Sequence, residues 1–335
     1  MKVLFAVSYP LSWSRGGFTV QIKRTQESLE AQGVGVDWVD YTGAIQQNAD
    51  VIHYWGVPPS KSMWQAAQSR GMKQVVTFLS PKGIINPTGR NYAERLLRNL
   101  TIKGLGEFRL FGSMAVGLEA ADAFILLNEA EQRYVNFMYG WPNDRCHIIP
   151  NGVDDCFFKK TENVKPLGGL FYPSYICPRK NQVEIARIAK REKIPVYFVG
   201  GAQGESPEYF EAFKKEIDNQ YVFWLGEINP SSELASLYRS ALGTFLASDY
   251  DNQGLILLES LACGCPVMGP SVDSVKSHFG NQILYCDSAK SENFPEQFRK
   301  FFEFCQQGGR QSFITLTWPD IARKIIKVYE DLLEL

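Results

Sequence analysis

A chain of 335 residues exceeds the usual size of a single hydrophobic core, so two domains are expected. With 45% hydrophobic and 21% charged residues it has the composition of an ordinary soluble protein, and a net charge of −1 gives no electrostatic footprint for nucleic acid. No stretch approaches roughly 18 uncharged apolar residues, which argues against a helical membrane span, and the opening MKVLFAVSYP reads as a first strand rather than a leader.

Val3 to Val7 is apolar and strand-like. After a loop containing Gly16 and Gly17, a helical pattern runs from about Thr19 to Ala31 and stops at Gly33, and Val34 to Val39 is the next strand. This is the opening of a βαβ wind with a glycine-bearing loop at the ligand edge. The loop lacks GxGxxG, so a nicotinamide site is not read. The glycine pair serves either a simple turn or close backbone approach to an anionic group or sugar.

Strand-like runs recur at Val51 to Tyr54, Val75 to Phe78, Phe124 to Leu127 and Cys146 to Ile149. Helical stretches separate most of them, which predicts a parallel sheet covered on both faces. His53 falls at the ligand edge of one run, as either a structural histidine or a site residue. The stretch 89–112 is basic and amphipathic, with Arg90, Arg95, Arg98, Lys103 and Arg109 among leucines. It fits a solvated helix face or a surface for an anionic acceptor or membrane.

Turn-forming residues from Pro150 to Asp154 and the polar segment that follows mark a domain boundary. The expected division is 1–157, 158–312 and a C-terminal amphipathic helix in 313–335 that crosses back to the first domain. A second alternating series follows, with strands at Leu170 to Pro173, Val196 to Val199, Tyr221 to Trp224, Leu242 to Ala247, Val267 to Met268 and Ile283 to Tyr285. Helices are read near Gln182 to Arg191, Tyr209 to Ile217 and Ser232 to Ser240. The fold class is α/β, two doubly wound parallel-sheet domains with a cleft between their carboxyl edges.

The seven cysteines include no CxxC pair, so neither a structural zinc nor a disulfide framework is suggested. Buried reduced thiols fit best. His147 and His278 have no partner pattern for a metal.

The most informative stretch is Leu242 to Pro270: an apolar strand, a loop carrying Asp251, a helix opening at Gly254 and carrying Glu259, and a stop at Gly264 and Pro266. Such a unit leaves a carboxylate and free helix N–H groups at a sheet edge, suited to a phosphorylated polyol. Asp251 alone could be a helix cap. Glu259, among Leu257, Leu258, Leu261 and Ala262, needs a partner if buried.

The run from Asp251 to Val267, DNQGLILLESLACGCPV, resembles the E-x7-E signature and following segment of glycosyltransferase family four. In order along the chain, Gly16-Gly17, the IPNGVD turn ending at Asp154, and Cys177-Pro178-Arg179-Lys180-Asn181-Gln182 resemble further parts of that family. The resemblance spans nearly the whole chain. It implies the GT-B fold of two Rossmann-like domains, a nucleoside-diphosphate sugar as donor substrate, and transfer with retention. By the same resemblance Lys180 binds the diphosphate, with Arg179, Gly254 and Leu255 beside it. Glu259 receives the ribose hydroxyls, and Asp251 stands near the transferred sugar. Gly16, Gly17 and His53 lie on the acceptor side.

Three positions depart from the family pattern. Asp251 is one methylene shorter than glutamate, Tyr175 replaces an arginine, and Lys82 in Ser80-Pro81-Lys82-Gly83 replaces a histidine facing the sugar or acceptor. Lysine supplies charge there but no neutral imidazole. The expected protein is a cytoplasmic hexosyltransferase needing no metal or other cofactor, acting on a glycan, lipid-linked or small-molecule acceptor. Peripheral contact with the inner membrane face would run through 89–112. The altered positions motivate a second reading, a nucleotide-sugar binding or regulatory protein of the same shape, and a sugar-nucleotide epimerase is a third.

Overall fold

A computed structural model of the chain describes residues 1–8, 10–13, 16–43, 47–56, 61–78, 92–93, 95–96, 121–159, 165–202, 206–229 and 231–335. It separates into two compact units, Met1–Gly152 with Trp318–Leu335, and Val153–Thr317.

In the first unit, β1 (Lys2–Val7), α1 (Gly17–Glu30), β2 (Gly35–Trp38) and β3 (Val51–Trp55) open the wind, followed by α2 (Lys61–Ser69), β4 (Lys73–Thr77), β5 (Ala123–Leu126), α3 (Glu129–Tyr139) and β6 (Cys146–Ile148). All pairings are parallel, in the order β2-β1-β3-β4-β5-β6. Every residue of β3 and β5 is buried, as the near-continuous apolar runs require of strands covered on both faces. Asn128 caps α3 by accepting the Glu131 N–H at 3.0 Å, and Gly140, at φ 69°, ends that helix in the left-handed region.

The second unit runs β7 (Leu170–Pro173), α4 (Gln182–Glu192), β8 (Val196–Val199), α5 (Pro207–Lys214), β9 (Val222–Trp224), α6 (Ser231–Ser240), β10 (Gly243–Phe245), α7 (Leu255–Ala262), β11 (Val267–Pro270), α8 (Asp273–Phe279), β12 (Leu284–Cys286) and α9 (Phe294–Gln306). Its sheet order is β12-β11-β10-β7-β8-β9, again all parallel. From β7 the chain winds outward through β8 and β9, then returns to β10 and winds the other way. The topological switch point therefore lies between the carboxyl ends of β7 and β10, where open α/β sheets bind ligands.

The last helix, α10 (Trp318–Leu333), belongs to the first unit and packs along α1. Trp318, Ile321, Ala322, Ile325, Val328 and Tyr329 form its buried face. The division falls at Gly152/Val153 and Thr317/Trp318, a few residues from the 157/158 and 312/313 boundaries expected from sequence. Phe157, fully buried, packs in the second unit's core, and Val153 pairs with Thr317 across the base of that unit.

None of the described helices is long and apolar enough to cross a membrane.

Candidate functional site

The loops after β7 and β10 meet at the switch point. Pro178, with its fixed φ, opens a single 3-10 turn through Lys180. Asn181 then adopts a left-handed conformation at φ 59°, one of the few non-glycine residues that tolerates it, and redirects the chain into α4. Its side-chain amide donates to the Ala247 carbonyl at 2.9 Å, to Asp249 Oδ1 at 2.8 Å and to Ser288 Oγ at 3.2 Å, tying the two loops together. The Tyr172 hydroxyl donates to the Lys180 carbonyl at 2.6 Å, and the Asp249 N–H to the Arg179 carbonyl at 3.0 Å.

This scaffold holds the Lys180 ammonium 2.8 Å from Asp251 Oδ2. The other carboxylate oxygen, Oδ1, accepts the Gly254 N–H at 2.7 Å and so caps the turn into α7. Gly254 stands at φ 74°, which favours glycine. Ser274 on α8 fastens the loop by donating to the Asp251 carbonyl at 2.5 Å. Burial drives the Lys180 ammonium below its ordinary range while Asp251 opposes the shift. Burial pushes the Asp251 carboxyl up, but Lys180, then Arg179 and the Gly254 N–H outweigh it, and the net shift is downward. The Arg179 guanidinium lies over the Tyr250 ring at 5.0 Å and donates to the Tyr250 carbonyl at 3.2 Å.

Tyr175 is half-buried, and its carbonyl accepts from the Gln182 side chain at 2.6 Å. Leu255, the first residue of α7, is partly buried against the core; the Leu257 N–H donates to the Gly254 carbonyl at 2.9 Å, which leaves the N–H groups of Leu255 and Ile256 at the open end of the helix. One and a half turns further on, Glu259 is half-buried, with Oε2 accepting the Tyr238 hydroxyl at 2.7 Å. Burial raises its carboxyl to about 7, the Tyr238 hydrogen bond opposes that rise, and the Asp154 charge adds to it.

Lys180, Arg179, Asp251, Gly254, Leu255, Glu259 and Tyr175 therefore all belong to the switch-point loops or to α7 of the second unit. Gly16 and Gly17 lie at the start of α1 in the first unit, Gly16 as its N-cap. His53 leaves the acceptor set. It is fully buried in β3, its Nδ1 lies 2.5 Å from the Tyr329 hydroxyl of α10, and its Nε2 lies 2.7 Å from Thr77 Oγ1 of β4. Burial lowers its imidazole to about 3, so it is a neutral core residue joining the sheet to the last helix. Lys82 and most of 89–112 lie outside the described residues. Within that stretch, the Arg95 guanidinium lies over the Phe137 ring of α3 at 4.8 Å.

Tyr238 was not singled out as a site residue from sequence. A tyrosine on the buried face of α6 signals a hydroxyl in need of a partner, but nothing in the spacing says that the partner is Glu259.

Residues 16–156 match the family described as Glycosyltransferase Family 4, and residues 159–304 match Glycosyl transferases group 1. The chain belongs to these glycosyltransferases. Among curated relatives, the family member is 26% identical over 185 residues to a D-inositol 3-phosphate glycosyltransferase of Acidothermus cellulolyticus, covering 49% of this chain and 41% of the relative. It spans about half the length of the curated relatives it matches. The fold is similar to that of a sucrose-phosphate synthase from Thermosynechococcus elongatus (TM-score 0.71, 15% identity, 100% of both chains). It is also similar to that of Anabaena HepE in complex with UDP (TM-score 0.64, 15% identity, 100% of this chain and 99% of the other). With these neighbours the fold class is GT-B, two Rossmann-like parallel-sheet domains.

Proposed function

We propose that the protein transfers a hexose-type sugar from a nucleoside-diphosphate sugar to an acceptor hydroxyl, with retention at the transferred carbon. The observation that carries this reading is the Lys180–Asp251 pair at the switch point, set against the opening of α7 with Glu259 along the same helix. A departing diphosphate needs fixed positive charge and N–H donors, which Lys180 and the Leu255 and Ile256 N–H groups at the start of α7 supply. Arg179, Tyr175 and Leu255 border that position. The ribose needs a paired acceptor, which is the Glu259 carboxylate. The sugar develops oxocarbenium character as its bond to the diphosphate breaks, and Asp251 provides negative charge beside it.

Uridine is the base we favour, because the fold neighbour HepE was crystallised with UDP and with UDP-glucose. Lys82 is assigned to the sugar or acceptor, and Gly16 and Gly17 to the acceptor side. The acceptor is a glycan, a lipid-linked sugar or a small molecule. The curated relatives named D-inositol 3-phosphate glycosyltransferase put polyol phosphates first in a screen.

The test is calorimetry of the purified chain with UDP-, GDP- and ADP-sugars, followed by detection of released nucleoside diphosphate with an acceptor panel. Binding of one nucleotide class with acceptor-dependent release is expected. Absence of binding to all three would overturn the reading. Binding without turnover would favour a nucleotide-sugar binding protein, and turnover without acceptor an epimerase.

A further inference from the structure

Tyr238 projects from α6 into the core of the second unit and is fully buried. Its ring meets Phe157 edge-on at 5.8 Å and Phe171 at 5.1 Å, so it is walled in from both sides. Its hydroxyl donates to Glu259 Oε2 at 2.7 Å. Among the described residues, Glu259 Oε1 has no hydrogen-bond partner, which leaves that oxygen to a ligand.

We propose that Tyr238 is a positioning residue of the nucleotide site: its fixed hydroxyl keeps Glu259 in the carboxylate form and leaves Oε1 to receive the ribose, without touching the ligand itself. This rests on the ribose role given to Glu259 above. A half-buried carboxyl among leucines favours the neutral form, which cannot accept two ribose hydroxyls equally well. A hydrogen bond donated to one oxygen stabilises the ionised form and fixes the plane of the group. Burial raises the Glu259 carboxyl, the Tyr238 hydrogen bond lowers it and the Asp154 charge raises it, and together they leave it at about 7, so the balance between the two forms lies near neutrality.

The titratable and charged groups around this carboxylate come from α6, the 3-10 turn Asp155–Phe157 and the segment from the end of α7 to β11. Tyr238 from α6, Asp154 before the 3-10 turn and Cys263 at the end of α7 act on it directly, while Arg239 of α6, Cys156 of the turn and Cys265 before β11 act on Cys263 beside it. The Asp154 charge raises Glu259 further, whereas the Arg239 guanidinium donates to the Cys156 and Phe157 carbonyls at 2.9 Å each. Burial lifts the Cys263 thiol to about 12 and the Tyr238 phenol well above its ordinary value, so neither ionises in the range where Glu259 does.

The experiment compares the wild type, Tyr238→Phe and Glu259→Gln for binding of UDP, GDP and ADP by calorimetry from pH 6 to 9, with thermal unfolding of each variant. Phenylalanine keeps the ring packing and removes only the hydroxyl. For the nucleotide that binds, wild-type affinity should rise with pH as Glu259 ionises, and Glu259→Gln should be weak and nearly flat. Tyr238→Phe should lose roughly fivefold at pH 7, its midpoint displaced upward by about one pH unit, with the deficit shrinking toward pH 9. A Tyr238→Phe profile that superimposes on wild type overturns the inference. So does an equal loss at every pH accompanied by lowered thermal stability, because that is a packing defect. If Glu259→Gln itself binds like wild type, the ribose role of Glu259 fails and the Tyr238 role with it. A weak Glu259→Gln beside an unaffected Tyr238→Phe removes only the latter.

Discussion

The Lys180 ammonium and the Asp251 carboxylate lie 2.8 Å apart with side chains only 10% and 17% exposed, and the same carboxylate holds the N–H of Gly254. The pair is thus a joint between two loops and the start of a helix, and a diphosphate arriving at Lys180 must share the ammonium with Asp251. Removing either partner leaves a nearly buried charge uncompensated.

Lys180→Met should therefore lower unit stability by about 3 kcal/mol and kcat/KM for the donor by about a hundredfold or more. The double variant Lys180→Met with Asp251→Asn should be more stable than Lys180→Met alone, because the orphaned carboxylate is gone, while remaining inactive. Chemical denaturation and steady-state kinetics of the two single variants and the double one measure both effects. Additive stabilities would show that the pair is not coupled.

His53 makes a second prediction, in the first unit. Its two ring nitrogens hold the Tyr329 and Thr77 hydroxyls, so His53→Ala opens a cavity and strands two buried hydroxyls. A loss of about 3 kcal/mol is expected, with donor binding in the second unit unchanged. The folded imidazole is depressed to about 3 from an ordinary 6.5, so its contribution is present above 6.5 and lost as pH falls toward 3. The destabilisation caused by His53→Ala, measured by denaturant titration, should accordingly shrink between pH 6.5 and 4.

What the sequence disclosed depended on how local each signal was. The parallel strands, buried on both faces, stand out as apolar runs, and the Asp251-to-Glu259 spacing lies within one strand-loop-helix unit. Helices α8 and α9 were not read in advance. The first is only two turns long with five polar residues, and the second builds its buried face from Phe294, Phe298 and Phe301, aromatic residues that favour strands by type although their spacing is helical. His53 was misplaced because a strand's carboxyl end marks the ligand edge only for residues beyond the sheet, and His53 sits in the middle of β3 beneath α10. The Tyr238–Glu259 bond joins two helices through packing, and no periodicity encodes it.

Gly200 gives a prediction about backbone. It follows β8 at φ 136°, and a Cβ placed on it would lie 2.3 Å from the Ser174 carbonyl oxygen, in the loop that leads to Lys180. Both the dihedral and the contact oppose any side chain, and the obstructing atoms are main chain, which cannot move aside alone. Gly200→Ala should destabilise the second unit by about 3 kcal/mol and weaken donor binding by displacing that loop. Gly33→Ala, at φ 84° in open space, is the control for strain without collision and should cost about 1 kcal/mol. Equal losses in the two variants, read by thermal unfolding, would discard the collision argument.

The last prediction concerns Glu131, fully buried on the first turn of α3. Its Oε2 accepts the Leu127 N–H at 2.7 Å, closing the cap begun by Asn128, while Oε1 has no partner. Burial raises the carboxyl to about 8, against the Leu127 hydrogen bond, so the folded chain holds it protonated at neutral pH. In the unfolded chain the same group ionises near its ordinary value of 4.5. Its contribution to stability is therefore complete below 4.5, declines by up to about 1.4 kcal/mol per pH unit between 4.5 and 8, and is flat above. Glutamine mimics the neutral form at every pH and can still accept the Leu127 N–H. Glu131→Gln should thus match or fall slightly below wild type at pH 5, where it offers no advantage. It should exceed wild type at pH 8 by about 2 kcal/mol or more, with no further gain at pH 9. Denaturant titrations at these three values decide it, and a stability difference independent of pH would mean that Glu131 is ionised in the folded protein.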